Sequence, residues 1–311
     1  MNFGVVTVLK ILLKDIVIST LQITIGDNKM PTYLFPGQGS QSKGMGRELF
    51  EQFPQLMDQA ETLLGYSLAT LCLEDPQQQL NQTQYTQPAL YVVNALSYYK
   101  KLADTSQQPA FVAGHSLGEY NALLAANVFD FETGLKLVTK RGGLMSQAQG
   151  GAMAAVIGLK IADITKILTD NNLTSVAIAN HNSYTQIVIS GLKIDVETAQ
   201  GLCEQAGARM VVPLKVSGAF HSSYMQNAQE QFAAFLEGFS FGAPKMPVIA
   251  NCTAKPYTPS DVKKNLAQQI THSVRWVESI EYLLAQNETL FEEVGPGTVL
   301  TGLVKRIRNG Q

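Results

Sequence analysis

The sequence predicts an α/β protein: an α/β-hydrolase-like core with a parallel sheet, plus an inserted ferredoxin-like small subdomain. Short apolar runs alternate with longer stretches of helical spacing over most of the chain, which is the pattern of parallel strands joined by helical crossovers. The stretch Phe111-Val-Ala-Gly-His-Ser-Leu-Gly-Glu-Tyr120 reads as an apolar strand, a tight G-x-S-x-G turn and a helix start. Between Gly151 and Val216 the order changes to β-α-β-β-α-β, the ferredoxin-like arrangement. The chain thus divides into an N-terminal extension of unassigned role (1–29), a core assembled from 30–150 and 221–311, and the small subdomain (151–220).

In chain order, Thr32-Tyr-Leu-Phe35 is a short strand ended by Pro36-Gly-Gln-Gly-Ser-Gln41. Leu49, Phe53, Leu56, Met57 and Ala60 give helical spacing across Gly46–Leu64. Thr86-Gln-Pro88 opens a helix that continues through Ala89–Leu102, because a proline fits the first turn, where no N–H is needed. After the elbow, Phe131–Gln147 is a helix carrying Lys140 and Arg141. In the small subdomain, strands fall at Gly151–Leu159, Ser175–Asn180, Gln186–Ser190 and Arg209–Val216, with helices at Ile161–Asn171 and Ile194–Gly207. The core resumes with a helix over Ser223–Leu236, a strand at Pro247–Asn251 and helices at Val262–Ile270 and Val274–Gln286. A last strand, Leu290–Val294, precedes Gly295-Pro-Gly297.

With 311 residues, 45% hydrophobic and 15% charged, the chain can bury a sizeable core. The net charge of −2, with no basic stripe, argues against nucleic acid as a partner. Cys72, Cys203 and Cys252 are far apart and odd in number, which argues against a disulfide framework or a metal cluster and for a reducing, cytoplasmic setting. Residues 1–29 are mostly apolar but broken by Lys10, Lys14 and Asp15. They fit neither a signal peptide nor a charge-free membrane span, so no stable membrane insertion is expected.

The chemistry centres on Ser116. A serine at the apex of a strand-to-helix turn sits in a strained backbone conformation, and a Cβ at Gly114 or Gly118 would crowd the neighbouring strand and helix. The turn exposes the hydroxyl at a helix N-terminus, where N–H groups favour developing negative charge. Four histidines could supply the base. His115 adjoins the serine, but neighbours at an elbow point apart; His181 lies in the polar Asn180-His-Asn-Ser183, read as a loop; His272 precedes a helix. His221 follows a strand and is flanked by small residues in Ser217-Gly-Ala-Phe-His-Ser222, which permit close approach. Spacing alone leaves the choice open.

Arg141 has two readings. Beside Lys140 it fits a solvated helix end; turned inward, its guanidinium would grip a carboxylate through two parallel hydrogen bonds. Gly37-Gln38-Gly39 could bring a backbone N–H to an oxyanion whose other donor is Leu117, the residue after the nucleophile. A nucleotide loop fits less well, because the third spaced glycine and a G-K-[ST] run are missing.

Taken together, these residues resemble the malonyl-CoA:acyl-carrier-protein acyltransferases. The match runs in order through Leu34-Phe-Pro-Gly-Gln-Gly-Ser-Gln41, Thr86-Gln-Pro-Ala-Leu90, Gly114-His-Ser-Leu-Gly-Glu119, Lys140-Arg-Gly-Gly-Leu-Met145, Gly218-Ala-Phe-His-Ser222 and Glu293-Val-Gly-Pro-Gly297. The stretches Glu61–Cys72 and Gln87–Tyr98 look most like the discrete acyltransferases that serve polyketide synthases in trans. The housekeeping fatty-acid enzyme is the runner-up, and a hydrolase acting on carrier-bound acyl groups is a third reading.

The resemblance implies Ser116 as nucleophile, His221 as base and Arg141 as partner of the malonyl carboxylate. It implies an oxyanion hole from the Gln38 and Leu117 amides, Gln87 and Asn251 in the substrate pocket, and the Arg275 carbonyl orienting the imidazole. Phe220 would lie against the α-carbon of the acyl group, leaving little space for an extra methyl. Malonyl-CoA and a phosphopantetheinylated acyl carrier protein follow as partners, with no cofactor, no metal and a monomeric enzyme. Two departures stand out: residues 1–29 have no counterpart, and Asn127 stands where a glycine is usual.

Overall fold

The structure is a computed structural model that describes residues 29–216 and 218–311. The extension expected over 1–29 lies outside the described residues, save Lys29. Eight strands occur among the described residues: β1 (Thr32–Phe35), β2 (Phe111–Gly114), β3 (Gly151–Ile157), β4 (Ala177–Ser183), β5 (Gln186–Leu192), β6 (Met210–Pro213), β7 (Val248–Ile249) and β8 (Phe291–Glu293).

They form two sheets. The first, in order β7-β2-β1-β8, is parallel throughout, with Phe35 opposite Gly114 at the end of the β1–β2 register. Parallel neighbours require crossovers, and helix Thr83–Thr105 lies in the one between β1 and β2. All of β1 is buried, as its unbroken apolar run requires of a strand covered on both faces. The second sheet, in order β4-β5-β3-β6, is antiparallel and has the ferredoxin-like arrangement expected from the sequence.

This second sheet has two different faces. Ala154 and Val156 on β3, with Ile187 and Ile189 on β5, pack in a core of their own with Ile164, Leu168, Val196 and Cys203 from helices Ile161–Asp170 and Lys193–Gln205. The alternate residues, Met153 and Val188, join the main core instead. Strand side chains alternate between faces, so one sheet serves both its own helices and the larger unit. Reciprocal backbone bonds, His181 N to Val274 O at 3.0 Å and Val274 N to Ala179 O at 2.8 Å, tie β4 to the chain entering helix Trp276–Ala285.

Several elements differ from expectation, each for a local reason. The helix expected over Gly46–Leu64 is two, Arg47–Gln52 and Pro54–Leu64, because Phe53 precedes a proline and its backbone (φ −125°, ψ 54°) leaves the helical region. Helix Thr83–Thr105 begins one turn early and contains Pro88, with the Thr86 hydroxyl bonding back to the Leu80 and Gln82 carbonyls. His181 lies on β4, not in a loop. Two helices escaped the sequence reading: Leu68–Leu73, capped by the Ser67 hydroxyl, and Val299–Arg308, which buries Leu300, Leu303, Val304 and Ile307. The latter spacing was legible as one helical face.

The elbow depends on two close approaches. A Cβ on Gly114 would stand 2.0 Å from the carbonyl carbon and oxygen of Gly118, and one on Gly118 would stand 2.0 Å from the Phe35 carbonyl oxygen. All the obstructing atoms are backbone, so nothing can swing aside. Gly114→Ala and Gly118→Ala are each expected to cost about 3 kcal/mol or more, seen as a clearly lowered midpoint in thermal unfolding. A wild-type midpoint in either variant would contradict this account.

Candidate active site

Ser116 occupies the left-handed backbone region (φ 50°), an arrangement that costs roughly 1–3 kcal/mol for a side chain with a Cβ. Asn251 holds it there. The Asn251 Oδ1 accepts from the Ser116 N–H at 2.7 Å, and its Nδ2 donates to the Gly114 carbonyl at 2.7 Å. Asn251 thus corrects one expectation: its amide is engaged by the elbow backbone, and it does not line the substrate cavity. The strand expected to reach Asn251 stops at Ile249.

The Ser116 hydroxyl meets His221 Nε2 at 2.9 Å, which selects His221 among the four histidines. His221 Nδ1 faces the main-chain carbonyls of Gln269 at 2.7 Å and His272 at 3.0 Å. Carbonyls only accept, so Nδ1 carries the ring proton and Nε2 presents its lone pair to the serine. These two carbonyls replace the one expected from Arg275. The Arg275 carbonyl accepts from the Ser279 N–H and hydroxyl instead, because helix Trp276–Ala285 starts at the next residue. Burial, and then the nearby Arg141 charge, push His221 down from the ordinary histidine value to about 3, so the imidazole is unprotonated and free to accept a proton in neutral solution.

The other histidines have other tasks. His115 Nε2 bonds Asn182 Oδ1 at 2.8 Å, and its ring packs on Trp276. His181 Nδ1 meets Glu278 at 3.2 Å.

Arg141 is 1% exposed, which rules out the solvated helix end. It turns inward because Leu137, Arg141 and Met145 fall four residues apart on the buried face of helix Phe131–Ser146, while Lys140 points elsewhere, over the Phe235 ring. Its Nη2 donates to Ser116 Oγ at 3.1 Å and to Gln269 Oε1 at 2.8 Å, and its Cζ lies 5.7 Å from the Tyr120 ring centroid. Its Nε is buried without a partner, and among the described residues it forms no ion pair. A buried guanidinium with an open donor edge is a receptor for an anion.

Two residues that the sequence reading missed stand behind these groups. The Gln269 side chain bridges Arg141, the Ser116 carbonyl and Glu119. Glu119 also accepts from the Tyr257 hydroxyl and the Asn251 N–H. Burial raises Glu119 to about 7, against the downward pull of its three donors and of Arg141. A carboxylate among the apolar residues of the elbow helix was a visible signal for Glu119. Nothing local marked Gln269.

Ser116, Arg141 and His221 face a cavity of about 140 Å³ whose wall includes Gln38, Gln87, Leu117, Met145 and Phe220, with Met153, Asn182 and Val188 from the antiparallel sheet. Four candidates from the sequence thus come together with Ser116, Arg141 and His221. Gln87 is 1% exposed; its Nε2 contacts the Met145 sulfur at 3.5 Å, and its Oε1 is an unused acceptor. The loop carrying Gln38 rests on the elbow because residue 37 is glycine: a Cβ there would stand 2.3 Å from the His115 carbonyl oxygen. That same Cβ position is 3.6 Å from the Leu117 nitrogen, so the two candidate amide donors are neighbours. Neither amide N–H has a protein acceptor among the described residues.

The acyl transferase domain family matches residues 32–309. A relative from Bacillus subtilis, the polyketide biosynthesis malonyl CoA-acyl carrier protein transacylase PksC, is 58% identical over 280 residues, covering 90% of this chain and 97% of its own. Among solved structures, a malonyl CoA-acyl carrier protein transacylase from Burkholderia pseudomallei superposes with a TM-score of 0.88 at 51% identity, over 91% of this chain and 99% of that one. A malonyl-transacylase solved in complex with its type II PKS acyl-carrier protein superposes with a TM-score of 0.87 at 39% identity, covering 91% and 94%.

The Ser116–His221 geometry yields two expectations. A serine-directed phosphonofluoridate should label the wild type at one site and Ser116→Ala not at all, as read by intact mass. Protonation of His221 removes the base, so reactivity falls as pH drops through its pKa, and the depression to about 3 moves that fall well below 6.5. Between pH 7.5 and 5.5 the labelling rate should therefore change less than about threefold, where a base at 6.5 would lose about tenfold. A tenfold fall in that interval would show His221 to be unperturbed.

Proposed function

This chain belongs to the acyl transferase domain family, and from that membership we propose that it moves a malonyl group from malonyl-CoA to the phosphopantetheine thiol of an acyl carrier protein. The observation that carries the reading is the buried Arg141 guanidinium, with an open donor edge, beside a serine–histidine pair. It fits a donor whose acyl group ends in a free carboxylate. A hydrolase acting on neutral acyl chains would leave that charge uncompensated, at a cost of several kcal/mol.

In the first half-reaction, His221 Nε2 takes the Ser116 proton as Oγ attacks the thioester carbonyl. The Gln38 and Leu117 N–H groups hold the oxyanion. The carbon–sulfur bond breaks, His221 protonates the departing coenzyme A sulfur, and a malonyl-serine ester remains. In the second half-reaction the carrier-protein thiol gives its proton to His221 and attacks the ester, and Ser116 leaves with that proton. Arg141 grips the free carboxylate in both halves. The atoms balance with no cofactor or metal.

The names of the relatives support a role in supplying malonyl extender units to a polyketide synthase in trans, since the 58%-identical protein is a polyketide enzyme. Service to fatty-acid synthesis uses the same chemistry and is the alternative. The same reading takes 30–150 with 221–311 as the catalytic core and 151–220 as the small subdomain. A monomer in the cytoplasm completes it, in keeping with three cysteines that are all free thiols. Among the described residues no helix is long and apolar enough to cross a membrane.

Donor choice tests the proposal. Phe220 is 6% exposed and lines the cavity next to His221, so an α-methyl on the acyl group meets a phenyl ring while Arg141 holds the far end. Malonyl-CoA should exceed methylmalonyl-CoA by about tenfold or more in kcat/KM, with acetyl-CoA weaker still. Phe220→Ser should narrow the first gap without helping acetyl-CoA. Arg141→Ala should lower malonyl transfer at least about a hundredfold and relatively favour acetyl-CoA. Equal wild-type rates with malonyl- and methylmalonyl-CoA would overturn the steric account, and a wild type with no malonyl-serine adduct would overturn the function.

A further inference from the structure

Glu119 is fully buried behind the reacting groups. It forms no ion pair with Arg141 among the described residues, yet its two oxygens accept three hydrogen bonds. Oε1 accepts from the Tyr257 hydroxyl; Oε2 accepts from Gln269 Nε2 and, at 3.3 Å, from the Asn251 N–H. The consequence lies in Gln269. A primary amide has an accepting end and a donating end of nearly the same shape, and only its partners decide which points where. A carboxylate that already receives two other donors takes the NH2 end. Gln269 Oε1 must then face the opposite way, where Arg141 Nη2 donates to it at 2.8 Å. With the amide inverted, the Gln269 NH2 would oppose the guanidinium, donor against donor. The same Gln269 NH2 holds the Ser116 carbonyl at 2.9 Å, and the Gln269 main-chain carbonyl holds His221 Nδ1 at 2.7 Å.

We propose that Glu119 is a positioning residue: by fixing which end of the Gln269 amide faces Arg141, it aims the guanidinium at the carboxylate of the acyl donor. This rests on the reading of Arg141 given above. Glu119 acts through Gln269 and touches neither donor nor reacting atoms, so its signature is selectivity and not rate alone.

The test is kcat/KM for malonyl-CoA and acetyl-CoA in the wild type, Glu119→Ala, Glu119→Gln, Gln269→Leu and the Glu119→Ala/Gln269→Leu double variant, with thermal midpoints as a fold check. Loss of an oriented hydrogen bond to a charged group predicts a fall of about tenfold in the malonyl-to-acetyl ratio for Glu119→Ala and for Gln269→Leu. The double variant should fall no further than either single one. Glu119→Gln should recover most of the ratio lost in the alanine variant, since its amide oxygen still accepts from Gln269 while the Tyr257 hydroxyl rotates to accept its NH2. General loosening of the site lowers both donors alike and leaves the ratio in place. A ratio unchanged in Glu119→Ala, multiplied losses in the double variant, or a glutamine variant no better than alanine would each overturn the inference. If Glu119→Ala does not fold, an unchanged ratio in Gln269→Leu overturns it equally. A wild type indifferent to the carboxylate overturns the reading of Arg141 and this inference with it. A selective wild type whose ratio survives in Glu119→Ala overturns the inference alone.

Discussion

A positive charge held in the protein interior, with no carboxylate paired to it among the described residues, is the constraint on which this site depends. Desolvating a guanidinium is costly, and the surroundings of Arg141 answer only part of it, through Gln269, the serine oxygen and the face of Tyr120. The unanswered part has two effects. It leaves an anion receptor beside the nucleophile, and with burial it keeps the neighbouring imidazole unprotonated. Binding site and base are thus coupled through one charge. A carboxylate arriving at Arg141 would also weaken the field that depresses His221, so the imidazolium formed during attack is more easily tolerated with the donor in place.

The elbow supplies the second constraint, which is steric. Its serine is forced into an uncommon backbone conformation, and the cost is met by contacts that leave no space for side chains at Gly37, Gly114 and Gly118. The Asn251 clamp acts on the same few atoms from a segment 135 residues away. Rigid presentation of the hydroxyl follows from over-determination, since several backbone-to-backbone approaches and one amide fix the same turn.

What could be read from the sequence follows the range of the forces involved. The elbow glycines, the apolar strands and the β-α-β-β-α-β order of the small subdomain were legible because they are local patterns with local causes. Ser116 was legible for the same reason. Choosing His221 over three other histidines, and turning Arg141 inward, required either tertiary contacts or the joint family pattern, although the four-residue spacing of Leu137, Arg141 and Met145 already pointed to the buried face. The misplaced contacts were all of long range. Asn251 went to the elbow backbone and not the pocket, and the orienting carbonyls came from Gln269 and His272, because Arg275 had a helix to start. A main-chain carbonyl carries no residue signature, so sequence cannot announce which one will meet a ring nitrogen.

The alternation along β3 and β5 separates two properties of the enzyme. Met153 and Val188 form part of the reaction chamber's wall, while residues on the other face of the same strands, Ala154, Val156, Ile187 and Ile189, belong to a core filled by the small sheet's own helices. Part of the chamber's wall is therefore written at one position on each of two strands that carry no catalytic atom and whose folding is secured on the opposite face. A lineage can exchange a methionine or a valine there and change which acyl chains fit, while the nucleophile, base and anion receptor stay untouched. Chemistry and capacity are inherited on separate stretches of one chain.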